Sequence, residues 1–377
     1  MDPQAAFVRR EMVAALEPPR LAAGAPAWLR QRLFGSLGNA VLTILSAAIL
    51  AGLIWPTVRF LLLDAVWTGT SRDACLPETV GRPVGACWPF IAAKLAQFMY
   101  GFYPQDQQWR VNLTYALGVV LLLPLLIPRV PYKAANALAF FGVYPVIAFV
   151  LLVGGVFGLP YIETRSWGGL LVTLVISFTG IIGSLPLGIL LALGRRSSLP
   201  LIQLLSVVFI EFWRGVPLIT VLFFATYMLP FFLPPSWTID PLLRVLVGVV
   251  LFAAAYMAEV VRGGLQAIPR GQFEAAMALG LGYWRMMGLV VLPQALKLVI
   301  PGIVNSFIAL FKDTTLVLIV AIFDLLGQVR AAFADPNWAT PVTLFTGFAF
   351  AGLIYFAFSF AMSRYALFTE RRLNPAR

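Results

Sequence analysis

Apolar residues in this chain come in long runs, not in the alternation of a strand or the single stripe of a surface helix. About 20 apolar residues cross a bilayer as a helix. Eight stretches reach or approach that length: 37–63, 111–128, 134–159, 169–193, 216–233, 242–261, 298–326 and 342–362. The sixth holds Glu259 near its end, and the seventh is interrupted by FKDTT. The pattern predicts an all-α polytopic membrane protein with about eight transmembrane helices. Between the sixth and seventh stretches the periodicity changes. Phe273, Ala276, Met277, Gly280, Leu281 and Trp284 fall at i, i+3, i+4 and i+7 spacings, which predicts a short amphipathic helix. Pro269 suits its first turn, Glu274 suits the positive end of its dipole, and Gly280 and Gly282 suit its end.

Composition agrees with the pattern. The chain has 377 residues, 60% hydrophobic and only 11% charged, whereas a soluble domain is about 25% charged. The absence of histidine removes imidazole ligands and histidine bases from any mechanism. With two cysteines, C-x-x-C metal sites are excluded, and no metal site is expected. No apolar leader with a cleavage site opens the chain, so residues 1–36 are expected to form a tail before the first span.

The formal charge is +11. The basic residues are scattered between apolar runs without forming a stripe, so nucleic acid is not an expected partner; the lipid bilayer is. With an even number of spans both termini share a side. Placing them inside puts 18 Lys and Arg residues in cytoplasmic segments, against Arg165 and Arg330 in the short outer loops. The positive-inside rule therefore predicts cytoplasmic termini. The amphipathic helix is then cytoplasmic, where it can lie on lipid, pack on the spans or fit a groove in another protein. The long outer loop, 64–110, holds Cys75 and Cys87. A disulfide and two buried thiols both stand open for this pair. WPFIAAKLAQFMYGFY in the same loop suits either a helix at the membrane surface or packing inside the loop.

Exact spacing adds a family. In QFEAAMALGLGYWRMMGLVVLP (272–293), Glu274-Ala275-Ala276 is followed by Gly280, Val290 and Leu292-Pro293. This resembles the E-A-A…G…I-x-L-P string of permease subunits of ATP-binding-cassette importers, with valine at the isoleucine position. EFWRGVPLITVLFF (211–224), AEVVRGGLQAIPRGQFEAA (258–276) and LPQALKLVIPGIVNSFIALFKDTTL (292–316) are similar to the polar amino-acid branch. The long front end joined to WGGLLVTLVIS (167–177) is most similar to the M-type subunit of general L-amino-acid permeases.

The resemblance implies a five-helix type I importer permease core over 167–366, with a coupling helix at about 270–284. An extension over 37–166 would precede it, and a cytoplasmic tail over 367–377 would follow. It implies an ATP-driven importer moving L-amino acids from periplasm to cytoplasm across a bacterial inner membrane. Its partners would be an ATPase subunit, a second and different permease chain, and a periplasmic amino-acid-binding protein. Phe273, Glu274, Ala275, Ala276, Gly280 and Trp284 would dock on the ATPase. ATP and Mg would reside in that ATPase and no cofactor in this chain, which is not itself an enzyme; LGLGYW is no dinucleotide fingerprint, and no G-x-x-x-x-G-K-[ST] string occurs.

Two charged sets remain. Lys312, Asp313, Thr314 and Thr315 fall inside an apolar stretch, where each charge costs about 2.5–3.5 kcal/mol. They are candidates for the substrate path, with Lys312 toward a carboxylate and Asp313 toward an ammonium. A structural ion pair, or a broken helix whose freed carbonyls these side chains satisfy, is the alternative. Glu211 with Arg214 and Glu259 with Arg262 are i, i+3 pairs near the inner end, either an inner gate or a fixture between spans. An ion-coupled secondary transporter using Asp313 is the competing function.

Overall fold

The computed structural model describes residues 24–234 and 236–373. Most of the expected N-terminal tail, with Arg9, Arg10 and Arg20, and the last four residues, with Arg377, lie outside them. Among the described residues there are helices and three isolated bridges but no β-strand. Seven helices are long and apolar enough to cross a membrane, and eight if one bent pair counts as a span. All eight expected stretches are found among them.

The chain divides into two compact units, Met1–Ala65 and Val66–Arg377. The first holds α1 (Ala25–Leu33) and α2 (Leu37–Val58). Ser36 starts α2 by accepting the Asn39 N–H at 3.2 Å, and a π-helical turn, Arg59–Leu63, ends it. No side chain of α2 is buried, as expected of a helix apolar on every side.

The second unit opens on the long loop. Cys75 and Cys87 are joined in a disulfide, with Cα atoms 5.7 Å apart. Helix α3 (Trp88–Tyr100) carries the aromatic segment of that loop. Phe90 and Phe98 are fully buried, so one face of this segment packs inside the protein. Next come α4 (Gln108–Leu126) and α5 (Lys133–Val153), which turn back on each other. Helix α6 (Gly169–Arg195) and helix α9 (Pro241–Gln266) form the most extensively packed pair in the molecule. They meet through small residues: a Cβ at Gly188 would stand 2.7 Å from the Met257 Cβ, and one at Gly183 would stand 2.7 Å from Val250. Close approach of this kind supplies the dispersion contacts that replace the hydrophobic drive inside a bilayer.

The fifth expected span is bent. Helix α7 (Pro200–Gly215) meets α8 (Leu218–Phe232) at 100°. Sequence reading placed Glu211 and Arg214 at helical i, i+3 spacing but did not count the helix back to Pro200 as part of a span. Its Ser206 and Ile210 are buried while Leu204, Val208 and Phe212 are exposed, so one apolar face stays open. The break follows from Pro217, which has no N–H to give and forces Val216 into an extended conformation.

Helix α10 (Arg270–Ala278) follows α9 directly. Helix α11 (Leu292–Leu298) leads into α12 (Ile300–Asp313), which tightens into a 3₁₀ run over Thr314–Val320. Helix α13 (Leu325–Ala332) is short, and α14 (Pro341–Leu373) closes the unit. The helix of α14 runs on through 367–373, which sequence reading had assigned to a tail.

The end carrying the disulfide is tied together by polar contacts. Asp324, fully buried, caps α13 by accepting the Gly327 N–H at 2.9 Å and accepts the Tyr355 O–H at 2.7 Å. Gly169 sits at φ +63°, and a Cβ there would collide with the Phe98 carbonyl, so α6 can start only on glycine. Lys94 of α3 pairs with Asp335 beyond α13 and holds that carboxyl below its ordinary pKa.

The α6–α9 seam makes a direct prediction. Gly188→Ala should destabilise the purified protein by about 1–3 kcal/mol, because the added methyl must push two backbones apart. Gly263→Ala on the open side of α9, where no atom lies within 4 Å, should leave the melting temperature unchanged or higher. Thermal unfolding in detergent measures both.

Candidate coupling surface and translocation path

Helix α10 is shorter than sequence reading had it. Pro269 is not its first helical residue but the residue before it, with ψ 142°. Counting from Arg270, Glu274 then falls in the second turn and not the first. The helix stops at Ala278, and Gly280 takes φ +72°, which only glycine adopts without strain. The Leu281 N–H closes the end on the Ala276 carbonyl at 3.1 Å. Trp284 therefore belongs to a separate four-residue turn of helix, Tyr283–Met286, and does not continue the face of α10.

The two sides of this segment differ in what they touch. Ala276 is buried, and Phe273 and Leu281 pack with it on a cluster that includes Met257, Val261 and Val291. The Arg196 guanidinium lies 5.8 Å from the centre of the Phe273 ring. Gln294 donates to Gln272 at 2.9 Å. On the other side Met277, Leu279 and Trp284 stand 57%, 78% and 72% exposed, with Glu274 and Ala275 exposed beside them. The apolar side expected to be gripped by a partner is thus used internally by Phe273, Ala276 and Leu281. A different apolar group, Met277, Leu279 and Trp284, is left open.

Beside α10 lies a cluster of five charges. Arg195, at the end of α6, donates from one nitrogen to Glu211 and to Glu259, each at 2.8 Å. Arg262 forks onto Glu259 at 3.0 and 2.8 Å. Arg214 stands 3.8 Å from Glu211 and 3.9 Å from Glu259, with its guanidinium over Tyr256. Both i, i+3 pairs expected from the sequence exist, yet they are not separate. Glu259 is the hub, and Arg195 joins helices α6, α7 and α9. Sequence reading counted Arg195 and Arg196 only as inner positive charge, because nothing local marks contacts to partners 64 and 77 residues away.

The third set lies where α12 changes pitch. Thr314 is buried and donates to the Phe311 carbonyl at 2.9 Å, and Thr315 donates to the Lys312 carbonyl at 3.0 Å. The two hydroxyls thus satisfy carbonyls at the end of the helix, as the broken-helix alternative expected. Lys312 is exposed and Asp313 partly so. Among the described residues neither forms an ion pair, so the structural-pair alternative is not what the fold adopts. Two unpaired charges in an apolar span require water, a ligand or another chain beside them. No group of residues able to hold a metal is found among the described residues.

Removing the hub should be costly. Glu259→Gln leaves three arginines around one carboxylate and should lower stability by about 1–2 kcal/mol, above the range for isolated surface pairs. A double-mutant cycle with Arg195→Gln should return a coupling of about 1 kcal/mol, read from thermal melts.

The chain can be set beside known proteins. The sequence profile of the family described as "Binding-protein-dependent transport system inner membrane component" matches residues 184–375. The chain is 51% identical over 364 residues to the inner membrane amino-acid ABC transporter permease protein YhdY of Escherichia coli strain K12, covering 96% of this chain and 97% of that one. It is 41% identical over 431 residues to the glutamate/glutamine/aspartate/asparagine transport system permease protein BztC of Rhodobacter capsulatus, covering 98% of each. A crystal structure of an amino acid ABC transporter with histidines is 29% identical, with a TM-score of 0.48 over 54% of this chain and 92% of that chain. These relatives give no support to the ion-coupled alternative.

Proposed function

Because the chain belongs to the family of binding-protein-dependent transport system inner membrane components, we propose that it is the permease subunit of an ATP-driven importer moving L-amino acids from periplasm to cytoplasm. The observation that carries this reading is the α10 segment: an E-A-A helix, anchored by Phe273 and Ala276 on its own spans, with Met277, Leu279 and Trp284 open. Residues 167–366 act as the permease core, and 37–166 as an extension in front of it. The subunit resides in the bacterial inner membrane, with both termini cytoplasmic and the disulfide outside. ATP and Mg are bound and used by a separate ATPase chain. A second, different permease chain completes the path, and a periplasmic amino-acid-binding protein delivers the substrate.

Mechanically, the ATPase grips the open side of α10 and the neighbouring turn. Burying Met277, Leu279 and Trp284 contributes on the order of 1.5–3 kcal/mol each. Glu274 adds a charge-assisted hydrogen bond at the rim. The inner side of α10 passes displacement to the spans, since Phe273 and Ala276 sit in the same cluster as Met257 and Val261 of α9. The Arg196–Phe273 contact carries it to the end of α6, and Arg195 connects that end to Glu211 and Glu259. The charge cluster then acts as an inner gate that the movement of α10 reorganises. Farther along the path, Lys312 meets the substrate carboxylate and Asp313 its ammonium, and the Thr314–Thr315 turn holds both in place.

Two measurements test this. Trp284→Ala and Gly280→Val should each weaken co-purification with the ATPase and ATP-dependent uptake by about tenfold or more, on the scale of interface hot spots; unchanged complex and uptake would refute the coupling role. Lys312→Ala and Asp313→Ala should leave the complex intact and raise the half-saturating substrate concentration. Normal uptake kinetics in both would remove them from the path.

A further inference from the structure

The segment between Asp313 and Asp324 is wound unlike its neighbours. Thr314–Val320 is a seven-residue 3₁₀ run, while the other 3₁₀ elements among the described residues have four residues or fewer. Long runs of this kind are uncommon, and within a helix they often mark a hinge. The run stops at Ala321, which takes φ +59°. The same left-handed region is occupied by Gly280 at the end of α10, but here a Cβ must be fitted into it, at a cost in strain. Two backbone bonds hold the turn closed: the Ala321 N–H reaches the Leu318 carbonyl at 3.0 Å, and the Ile322 N–H reaches the Val317 carbonyl at 3.3 Å.

The outer end of this segment is clamped. The Phe323 carbonyl accepts the Gly169 N–H at 2.9 Å, and the Leu325 N–H donates to the Thr173 hydroxyl at 3.0 Å. Asp324 takes the Tyr355 O–H, and Gln97 of α3 donates to Gln328 of α13 at 3.1 Å. Residues 323–328 are thus fixed to α3, α6 and α14. The run itself buries Thr314, Val317 and Val320. Those are every third residue, one face at 3₁₀ pitch; at α pitch Val320 would stand roughly 120° away from Thr314. The inner end carries Lys312 and Asp313, which form no ion pair among the described residues. An α-helix turns about 100° and rises about 1.5 Å per residue, against about 120° and 2.0 Å for a 3₁₀ helix. Each residue that returns to α pitch therefore turns Lys312 and Asp313 by roughly 20° and draws them roughly 0.5 Å toward the clamp.

We propose that Thr314–Ala321 is a strained hinge that rewinds toward α pitch during the transport cycle and re-aims Lys312 and Asp313 against the fixed outer end. This inference rests on the ATP-driven importer reading above and adds a moving part within the chain to it. Ala321 sets the balance. Its strain is present while the left-handed turn closes the 3₁₀ run and is relieved when the run rewinds. Alanine therefore brings the two windings closer in free energy than glycine would at this position.

The test uses the full chain assembled with its partner subunits in lipid nanodiscs. Spin labels on Ala309→Cys in α12 and Ala334→Cys beyond α13, both exposed, report the distance across the hinge. The native cysteines are bonded to each other and take no label. The distance should differ by about 2 Å or more between the nucleotide-free and ATP-trapped states, the scale of rewinding about four residues. Ala321→Gly should leave the melting temperature unchanged or higher, yet lower ATP-dependent uptake by about fivefold, the equilibrium shift expected from relief of one left-handed side chain. Ala321→Asn, which tolerates the left-handed region better than alanine, should fall between wild type and glycine. A purely structural Ala321 would show the same melting behaviour with uptake unchanged, and that result overturns the proposal. Equal distances in the two states of a complex that takes up amino acids overturn it as well. A complex that takes up no amino acid overturns the functional reading, and the hinge with it.

Discussion

The seam between α6 and α9 is the constraint on which the rest depends. Inside a bilayer two apolar helices gain nothing by hiding from water, so they stay together only if their backbones come close enough for dense packing. Gly183 and Gly188 on α6 allow that approach to Val250 and Met257 on α9. Fixing this pair fixes both ends of the molecule. At one end Arg195 and Glu259 are brought within 2.8 Å, and α10 emerges directly from α9. At the other end Gly169 starts α6 against Phe98, and Asp240 starts α9 against Thr164. Proposed gate and lever are both attached to the same two helices.

The charges of this chain fall into two kinds. Some are spent on structure: Glu259 holds Arg195 and Arg262, Lys94 holds Asp335, and the buried Arg110 donates to the carbonyls of Leu151 and Pro160. Others stand in apolar surroundings with no ion-pair partner among the described residues: Lys312 and Asp313 in a span. A membrane protein keeps unpaired charge only where something polar comes to meet it.

Much of this was legible in the sequence, because a membrane span is a statement about composition over some 20 residues. All eight apolar stretches were readable, and so was a short helix between the sixth and the seventh. What failed was detail set by single residues or by distant contacts. Trp284 obeyed the spacing of the α10 face, but Gly280 at φ +72° ended the helix before reaching it. Of helix α7 only the end with Glu211 and Arg214 was read as helical, because the 100° turn at Pro217 separates it from the apolar run of α8. Arg195 looked like any inner basic residue. Its role as a bridge appears only when Glu211 and Glu259 are brought beside it.

The buried disulfide has a consequence for how the molecule is made. Both sulfur-bearing residues are wholly shielded from solvent, and the cover over them includes Trp338 and Ala351 from the last part of the chain. The Thr346 hydroxyl of α14 even accepts the backbone N–H of Cys87. An oxidant that must touch the thiols has access only before α14 is seated. Bond formation therefore precedes the seating of α14. A reductant added to the finished protein meets a closed lid.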